Sequence, residues 1–427
     1  MQNFFNSNYL KNFLNSPTKK RLAENFLSLS ALQAVNYLLP LITFPYLVRV
    51  LGPEKFGLIA FAQAFIGYFI ILTNYGFNLS ATREISINRD KKEKVSEIFN
   101  SVMMVKLLLG ILSFFILVLI LIFIPKFRND WLVYIFTFGM VIGQILFPVW
   151  FFQGMERMKY ITILNIIAKG IFTICIFVFI RKMTDYLYVP LINSMGFLVA
   201  GGLSLRIVSK DFGIKFILPS FKTLKYQLKE GWHIFISTVA ISLYTTSNTF
   251  VLGLFANNTI VGYYAAAEKI VKAVQGLLTP VSQTVYPYFS KLYSIDKKRA
   301  AIILRKALYL IGGITFLISG VVSMFSPLIS KIVLGPLFLE SIPVLRILIF
   351  IVFAIGVNNI LGIQGLVAFG YKGEFAKIVG FCSLFHLGII TILILRYSLI
   401  GIAIGTVITE SLIGVIEYSV LKRKKIL

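Results

Sequence analysis

The chain has 427 residues, of which 58% are hydrophobic and only 14% charged, and its mean hydropathy is +0.85. This composition leaves too few polar residues to cover a soluble globular fold. The formal net charge of +25 could point to nucleic acid. The basic residues alternate from loop to loop, however, which is a topology signal and argues against a nucleic-acid groove.

Apolar stretches of membrane-spanning length recur twelve times. About 20 apolar residues in a helix cross a ~30 Å hydrocarbon core, and the helix satisfies its own backbone polar groups there. We therefore predict an all-α integral membrane protein with twelve transmembrane helices. The predicted spans are 22–48, 57–80, 101–125, 132–153, 161–180, 187–207, 232–255, 260–289, 305–330, 342–369, 377–396 and 400–421.

The distribution of basic residues predicts the orientation. With the N-terminus in the cytoplasm, 29 of the 42 Lys and Arg residues lie on the cytoplasmic side, 8 on the opposite side and 5 within spans. The positive-inside rule then places both termini in the cytoplasm, and the charge attracts anionic phospholipids. Residues 1–21 lack the apolar core and cleavage site of a secretory signal, so no processing is expected.

The sequence contains no recognisable signature of a metal, a cofactor or a nucleotide. Cys175 and Cys382 lie within predicted spans without metal-ligand spacing, and we expect them to pack as small apolar side chains. No G-x-x-x-x-G-K-[ST] loop occurs, so the chain carries no predicted nucleotide-driven motor. We expect no cofactor and no metal.

The first six predicted spans resemble the second six at a nearly constant offset. Gly57 opens the second span and Gly262 opens the eighth, 205 residues later. The runs 90–92 and 296–298, both Asp-Lys-Lys, each precede an odd-numbered span. Because six spans return the chain to its starting side, the halves share one orientation. This predicts a parallel repeat with a pseudo-two-fold axis along the membrane normal and a central cavity.

The repeat also predicts the domain boundaries. Residues 1–208 form the N-terminal lobe with helices 1–6, and residues 232–427 form the C-terminal lobe with helices 7–12. The basic segment 209–231 joins the lobes and is expected to lie on the cytoplasmic surface as an amphipathic stretch.

The eighth span carries charges that an apolar environment does not tolerate unpaired. Each charge near the bilayer centre costs about 2.5–3.5 kcal/mol, so Glu268, Lys269 and Lys272 must face protein or water. Glu268 precedes Lys272 by four residues, the favourable order for an internal ion pair. That pair is therefore either structural or part of a substrate site. Lys269 has no such partner in the sequence pattern, which favours a role in substrate binding.

Two further polar residues in the spans are candidates for the cavity lining. The repeat makes Gln63 the first-half counterpart of Glu268, and thus a neutral polar position in span 2. Lys169 lies in the middle of span 5, where it either lines the cavity or neutralises an acid.

Titratable residues also reach mid-membrane in the last two spans. Glu410 in span 12 and His386 in span 11 are candidates for ion coupling, although a lone His in a span is commonly a hydrogen-bonded helix contact. Glu417 shares a face with Glu410 seven residues away, and its predicted position is close to the cytoplasmic surface.

Four segments resemble the O-antigen and polysaccharide flippases of the multidrug/oligosaccharidyl-lipid/polysaccharide exporter superfamily. These segments are Pro45–Phe65, Tyr75–Ser86, Phe151–Tyr160 and Ser341–Lys377. The resemblance extends over nearly the whole chain and includes the span count. It implies movement of lipid-pyrophosphate-linked oligosaccharide from the cytoplasmic to the periplasmic leaflet of a bacterial inner membrane, by alternating access.

The resemblance also implies a role for one lysine. The stretch 267–270 is similar to the place in the lipid II flippases where a basic residue contacts the substrate pyrophosphate, with arginine usual where this chain has Lys269. A lysine offers a point charge rather than a bidentate fork. A glycan polymerase and a chain-length regulator are the implied protein partners.

Two alternatives remain at this point. A multidrug extruder of the same superfamily has the same architecture, but a basic cavity would repel cationic drugs. A membrane polymerase or ligase would need large outer loops, and no predicted outer loop exceeds roughly a dozen residues. We therefore predict a transporter and not an enzyme.

Overall fold

The computed structural model describes residues 17–424 and 426–427, and every regular element in them is helical. Residues 1–16, part of the segment where no processing is expected, lie outside this range. The helices are α1 Pro17–Asn74, α2 Phe77–Asn88, α3 Lys92–Phe123, α4 Pro125–Arg128, α5 Trp131–Leu146, α6 Val149–Gly154, α7 Met158–Phe179, α8 Tyr188–Asp211, α9 Phe221–Thr245, α10 Ser247–Phe255, α11 Asn258–Gly276, α12 Leu278–Ile295, α13 Lys297–Met324, α14 Ser326–Ile329, α15 Ser341–Leu348, α16 Phe350–Asn358 and α17 Lys372–Arg423. Short 3₁₀ turns occupy Met183–Leu187 and Pro336–Phe338, and π-helical turns occupy Ser330–Leu334 and Asn359–Val367.

Eight stretches of the described residues are long and apolar enough to cross a membrane, and a ninth arises if the bent pair α9 and α10 is one span. The protein is therefore an all-α multi-pass membrane protein. Two of the stretches, Leu38–Asn88 and Lys372–Arg423, have 51 and 52 residues. At 1.5 Å per residue each is more than twice the length that one crossing requires. The count of twelve spans remains a prediction.

The helix α17 folds back on itself at Ser398. This residue has φ 47° and ψ −122°, which no continuous helix allows. A Cβ atom at Gly401 would overlap the Leu393 carbonyl, and one at Gly405 would lie 3.0 Å from Ile390 Cγ2. Residues on both sides of Ser398 are thus in antiparallel contact, as the predicted pair of spans 377–396 and 400–421 requires.

The chain divides into two compact units. The first unit comprises residues 1–46 and 65–238, and the second comprises 47–64 and 239–427. These units differ from the predicted lobes because residues 47–64 belong with the second half of the chain. The helix α1 is interrupted at Gly52, which has φ 66° and ψ 173°. The chain can change direction at this break. The six-helix lobes remain a prediction.

Within the second unit, the two glycines matched by the repeat pack against each other's helix. A Cβ atom at Gly57 would overlap the Asn258 carbonyl, and one at Gly262 would overlap the Pro53 carbonyl. Adding 205 to the number of Gly57 gives Gly262, and subtracting 205 from that of Asn258 gives Pro53. The two contacts are therefore equivalent in the repeat. A contact that maps onto itself in this way is the mark of a two-fold arrangement. It supports the predicted repeat.

The predicted linker 209–231 is not one amphipathic stretch. Residues 213–220 have no regular structure, and α9 begins at Phe221. The side chain of Asn100 in α3 holds the irregular part, since its Nδ2 donates to the Lys215 carbonyl at 2.9 Å and its Oδ1 accepts from the Ile217 N–H at 3.2 Å. Hydrogen bonds between its backbone and the Asn100 side chain thus hold the segment against α3, which an amphipathic pattern does not reveal.

Candidate functional site

The second unit contains a cavity of about 360 Å³, here called the charged cavity. It lies between α11, the segment formed by α15, α16 and the following π-helical turns, and the two arms of α17. Its polar lining consists of three carboxylates, one lysine and several amides and hydroxyls. These residues are Asn248, Tyr264, Glu268, Lys272, Gln275, Asn358, Asn359, Thr406, Glu410 and Glu417.

One wall of the charged cavity carries the predicted ion pair of span 8. Lys272 Nζ lies 3.1 Å from Glu268 Oε2, and the two side chains are one helical turn apart in α11. Thr249 also donates to Glu268 Oε2, at 3.4 Å. The lysine side chain is 52% exposed and the glutamate 15%. The pair neutralises itself, which supports the structural interpretation, while the outer half of Lys272 stays available to a ligand.

The lining contributed by α17 includes two carboxylates, Glu410 and Glu417. Asn358 Nδ2 donates to Glu410 Oε2 and to the Glu410 carbonyl, both at 2.9 Å. Glu417 is completely buried, and neither of its oxygens has a hydrogen-bond partner among the described residues. Its position close to the cytoplasmic surface of the membrane remains a prediction. A Cβ atom at Gly362, in the π-helical turns, would overlap this carboxylate, so the glycine provides its space.

His386 lies behind the lining and is fully buried. Its Nε2 is 2.8 Å from Asn248 Oδ1 and its Nδ1 is 2.9 Å from Thr409 Oγ1. An amide oxygen only accepts, so Nε2–H donates to Asn248 Oδ1. Asn248 in turn donates to Thr406 at 3.1 Å. The histidine thus joins the two arms of α17 to α10.

The other predicted site residues lie elsewhere. Lys269 does not line the charged cavity; it is exposed, and its Nζ lies 5.2 Å from the centre of the Phe56 ring. Gln63 is partly buried in the second unit, also outside the lining. Lys169 belongs to the first unit and donates to Asn36 Oδ1 at 2.5 Å, which is an amide partner and not an acid.

Asn358, Asn359 and Glu417 line the cavity without having been predicted there. A signal for the first two was present, because two adjacent amides in the middle of an apolar span are costly unless they have partners. No metal site accompanies the cavity: the described residues contain no group of three or more His, Cys, Asp or Glu side chains that could hold a metal ion.

Comparison with known proteins identifies the family. Residues 22–293 match the model of a family described as polysaccharide biosynthesis protein. A protein of Escherichia coli (strain K12), provisionally named an O-antigen transporter, is 35% identical over 96% of this chain and 99% of its own length. One of Shigella dysenteriae with the same name is 33% identical over 64% of this chain and 68% of its own length.

Solved structures share the fold at low sequence identity. An inward-facing multidrug resistance MATE family transporter of the MOP superfamily has a TM-score of 0.71 at 16% identity, over 94% of this chain and 98% of that chain. The lipid II flippase MurJ in an inward closed conformation has a TM-score of 0.69, also at 16% identity, over 93% and 87%. The chain therefore belongs to the polysaccharide biosynthesis protein family and has the fold of the MOP superfamily.

Proposed function

We propose that the protein is a flippase that moves lipid-pyrophosphate-linked oligosaccharide, such as O-antigen or related repeat units, from the cytoplasmic to the periplasmic leaflet by alternating access. The observation that carries this proposal is the similarity to the Escherichia coli O-antigen transporter, which extends over 99% of that protein. The relatives are named as transporters and not as enzymes, in agreement with the absence of large outer loops from the predicted topology.

The proposed location is the bacterial inner membrane with both termini in the cytoplasm, as the basic residues predict. Anionic phospholipids, a glycan polymerase and a chain-length regulator are the proposed partners. The polymerase and the regulator follow from the substrate, since a flipped repeat unit must be consumed on the far side of the membrane.

For the pyrophosphate we propose Lys269 and Lys272 as the source of positive potential, with Glu268, Gln63 and Lys169 as further contacts. Two phosphates bring about two negative charges into a low-dielectric passage, and fixed cations offset part of the desolvation cost. Lys272 is already paired with Glu268, which neutralises part of its charge. Glu410 and His386 remain the candidates for ion coupling.

Multidrug extrusion is the second candidate function, and one observation favours it. The charged cavity is lined by three carboxylates and a single lysine, whereas only a basic cavity would repel cationic drugs. A lining of this kind attracts cations. The same experiment therefore has to test both cargoes.

The test is translocation in proteoliposomes. We expect the purified protein to move a labelled lipid-linked glycan across the bilayer and to leave a cationic dye untransported. Deletion of the gene should remove surface glycan and accumulate lipid-linked repeat units. Dye transport without glycan translocation would replace the flippase proposal by the drug-extruder alternative.

A further inference from the structure

The first unit has its own polar cavity, of about 230 Å³, which none of the predicted site residues lines. We call it the amide cavity. Its lining consists of four amides, two aromatic rings and one valine. These residues are Asn74, Asn78, Gln144, Asn165, Phe147, Phe197 and Val149.

The amide cavity lies at a break between two helices. The helix α5 ends at Leu146 and α6 begins at Val149, with Phe147 and Pro148 between them. Proline has no N–H to continue the helix, so the last carbonyls of α5 need other donors. Lys106 Nζ donates to the Gln144 carbonyl at 3.1 Å and Ser204 Oγ to the Leu146 carbonyl at 2.8 Å.

A helix broken at membrane depth is tolerated where it is buried or lines a cavity, and discontinuous helices line substrate sites in transporters. Here Gln144 and Val149 flank the break and both contribute to the lining. Lys106 is not among the lining residues. Its Nζ donates to a carbonyl at the C-terminal end of α5, and no charged residue lines the cavity.

The chemistry of the lining suits a polyhydroxylated ligand. Each amide offers both donors and an acceptor, so it can bond a hydroxyl in either direction. Among the described residues, the side chains of Asn74, Asn78 and Gln144 have no hydrogen bond to protein, and Asn165 uses only its Nδ2, on the Ile161 carbonyl at 2.8 Å. The rings of Phe147 and Phe197 present apolar surface beside these polar groups. None of the seven lining residues is charged, which disfavours a phosphate.

We propose that the amide cavity binds a sugar residue of the lipid-linked glycan, with the amides bonding its hydroxyls and the phenylalanine rings facing its C–H surface. This inference rests on the proposed function, and it separates two tasks. The lysines of α11 would attract the pyrophosphate, whereas the amide cavity would bind the sugar and discriminate between sugars. Glycan selectivity would then reside in the first unit.

The test uses the double variant Gln144→Met and Asn165→Leu, which removes two amides at nearly constant volume. Asn193→Leu is the matched control, because this amide of the same unit contacts Met140 Sδ at 3.2 Å and does not line the cavity. The probes are polyprenyl pyrophosphate carrying one oligosaccharide repeat unit and the same lipid without sugar. Binding of each probe is measured on the full chain in nanodiscs.

We expect the double variant to bind the glycan-carrying lipid about tenfold more weakly, the effect of losing two neutral hydrogen bonds. Its binding of the bare lipid should match that of the wild type and of Asn193→Leu. Wild-type affinity of the double variant for the glycan lipid would overturn the inference. Equal weakening for both lipids would also overturn it, because the loss would then not depend on the sugar. If the wild type neither binds nor translocates the glycan lipid, the proposed function fails instead.

Discussion

Lys106 in the first unit and Glu417 in the second are both almost completely buried, yet their surroundings differ. The ammonium of Lys106 reaches the carbonyl end of α5, where a cation also complements the helix dipole. The Glu417 carboxylate has no hydrogen-bond donor among the described residues. A buried ionisable group with a hydrogen-bond partner is explained by structure, whereas one without a partner is costly and points to a functional role.

The cavities of the two units also differ in the ionisable groups that line them. The amide cavity is neutral, while the charged cavity contains Glu268, Glu410 and Glu417 against Lys272. Neutral amides discriminate among uncharged hydroxylated groups, and ionisable groups respond to ions and potential. These linings predict different roles for the two units, and four sets of substitutions test that difference.

The largest effect is expected at Gly57, where α1 lies close to Asn258. Gly57→Ala places a methyl group into the Asn258 carbonyl, and we expect a loss of about 3 kcal/mol or more in the free energy of unfolding. Gly67→Ala is the control in α1, because its Cβ would have nothing within 4 Å. Thermal unfolding in detergent measures both. A stable Gly57→Ala protein would show that the two helix ends are not in close contact.

Lys269→Ala should reduce surface glycan about tenfold at unchanged protein level, since a charge-assisted contact to the pyrophosphate is lost. Lys269→Arg should retain much of the activity. Lys272→Ala should have the smaller effect, because Glu268 already neutralises that charge. Glycan display on whole cells is the measurement. Full display by Lys269→Ala would end the assignment of Lys269 to the substrate.

The two buried ionisable residues, Lys106 and Glu417, should respond to substitution in opposite ways. Lys106→Ala removes a packed side chain and the donor to the Gln144 carbonyl, and should lower the free energy of unfolding by about 2–3 kcal/mol. Glu417→Gln keeps the shape and removes an unpartnered carboxylate, so stability should be unchanged or higher. Thermal unfolding of both variants measures these changes in stability. A marked loss in Glu417→Gln would mean that this carboxylate has a stabilising partner.

Glu410→Gln should have the smallest effect, less than about twofold on translocation. A glutamine oxygen still accepts from Asn358. A negative headgroup moving outward gains about 2.3 kcal/mol per charge per 100 mV, so the membrane potential can drive flipping without a proton relay. Proteoliposomes with potential and pH gradient imposed separately measure this. Transport that follows the pH gradient alone and stops in the variant would make Glu410 the proton carrier.

Local spacing was enough to predict part of the charged cavity. Glu268 and Lys272 are four residues apart in one helix, so their contact follows from helix geometry. The contacts of Glu410 with Asn358 and of His386 with Asn248 span 52 and 138 residues. No periodicity in one segment identifies such partners. The burial of Glu417 was not predicted either, because it depends on Gly362 of another segment.

Hydropathy and the alternation of basic loops determined that this is a helical multi-pass membrane protein, because the lipid environment acts on each segment separately. The full-length resemblance to polysaccharide flippases also needed only the sequence. Tertiary structure decided where the helices break, that residues 47–64 pack with the second half of the chain, and which polar side chains share a cavity. Those features depend on contacts between distant segments. The free energy of such a contact depends on both segments, so the composition or spacing of one segment cannot predict it.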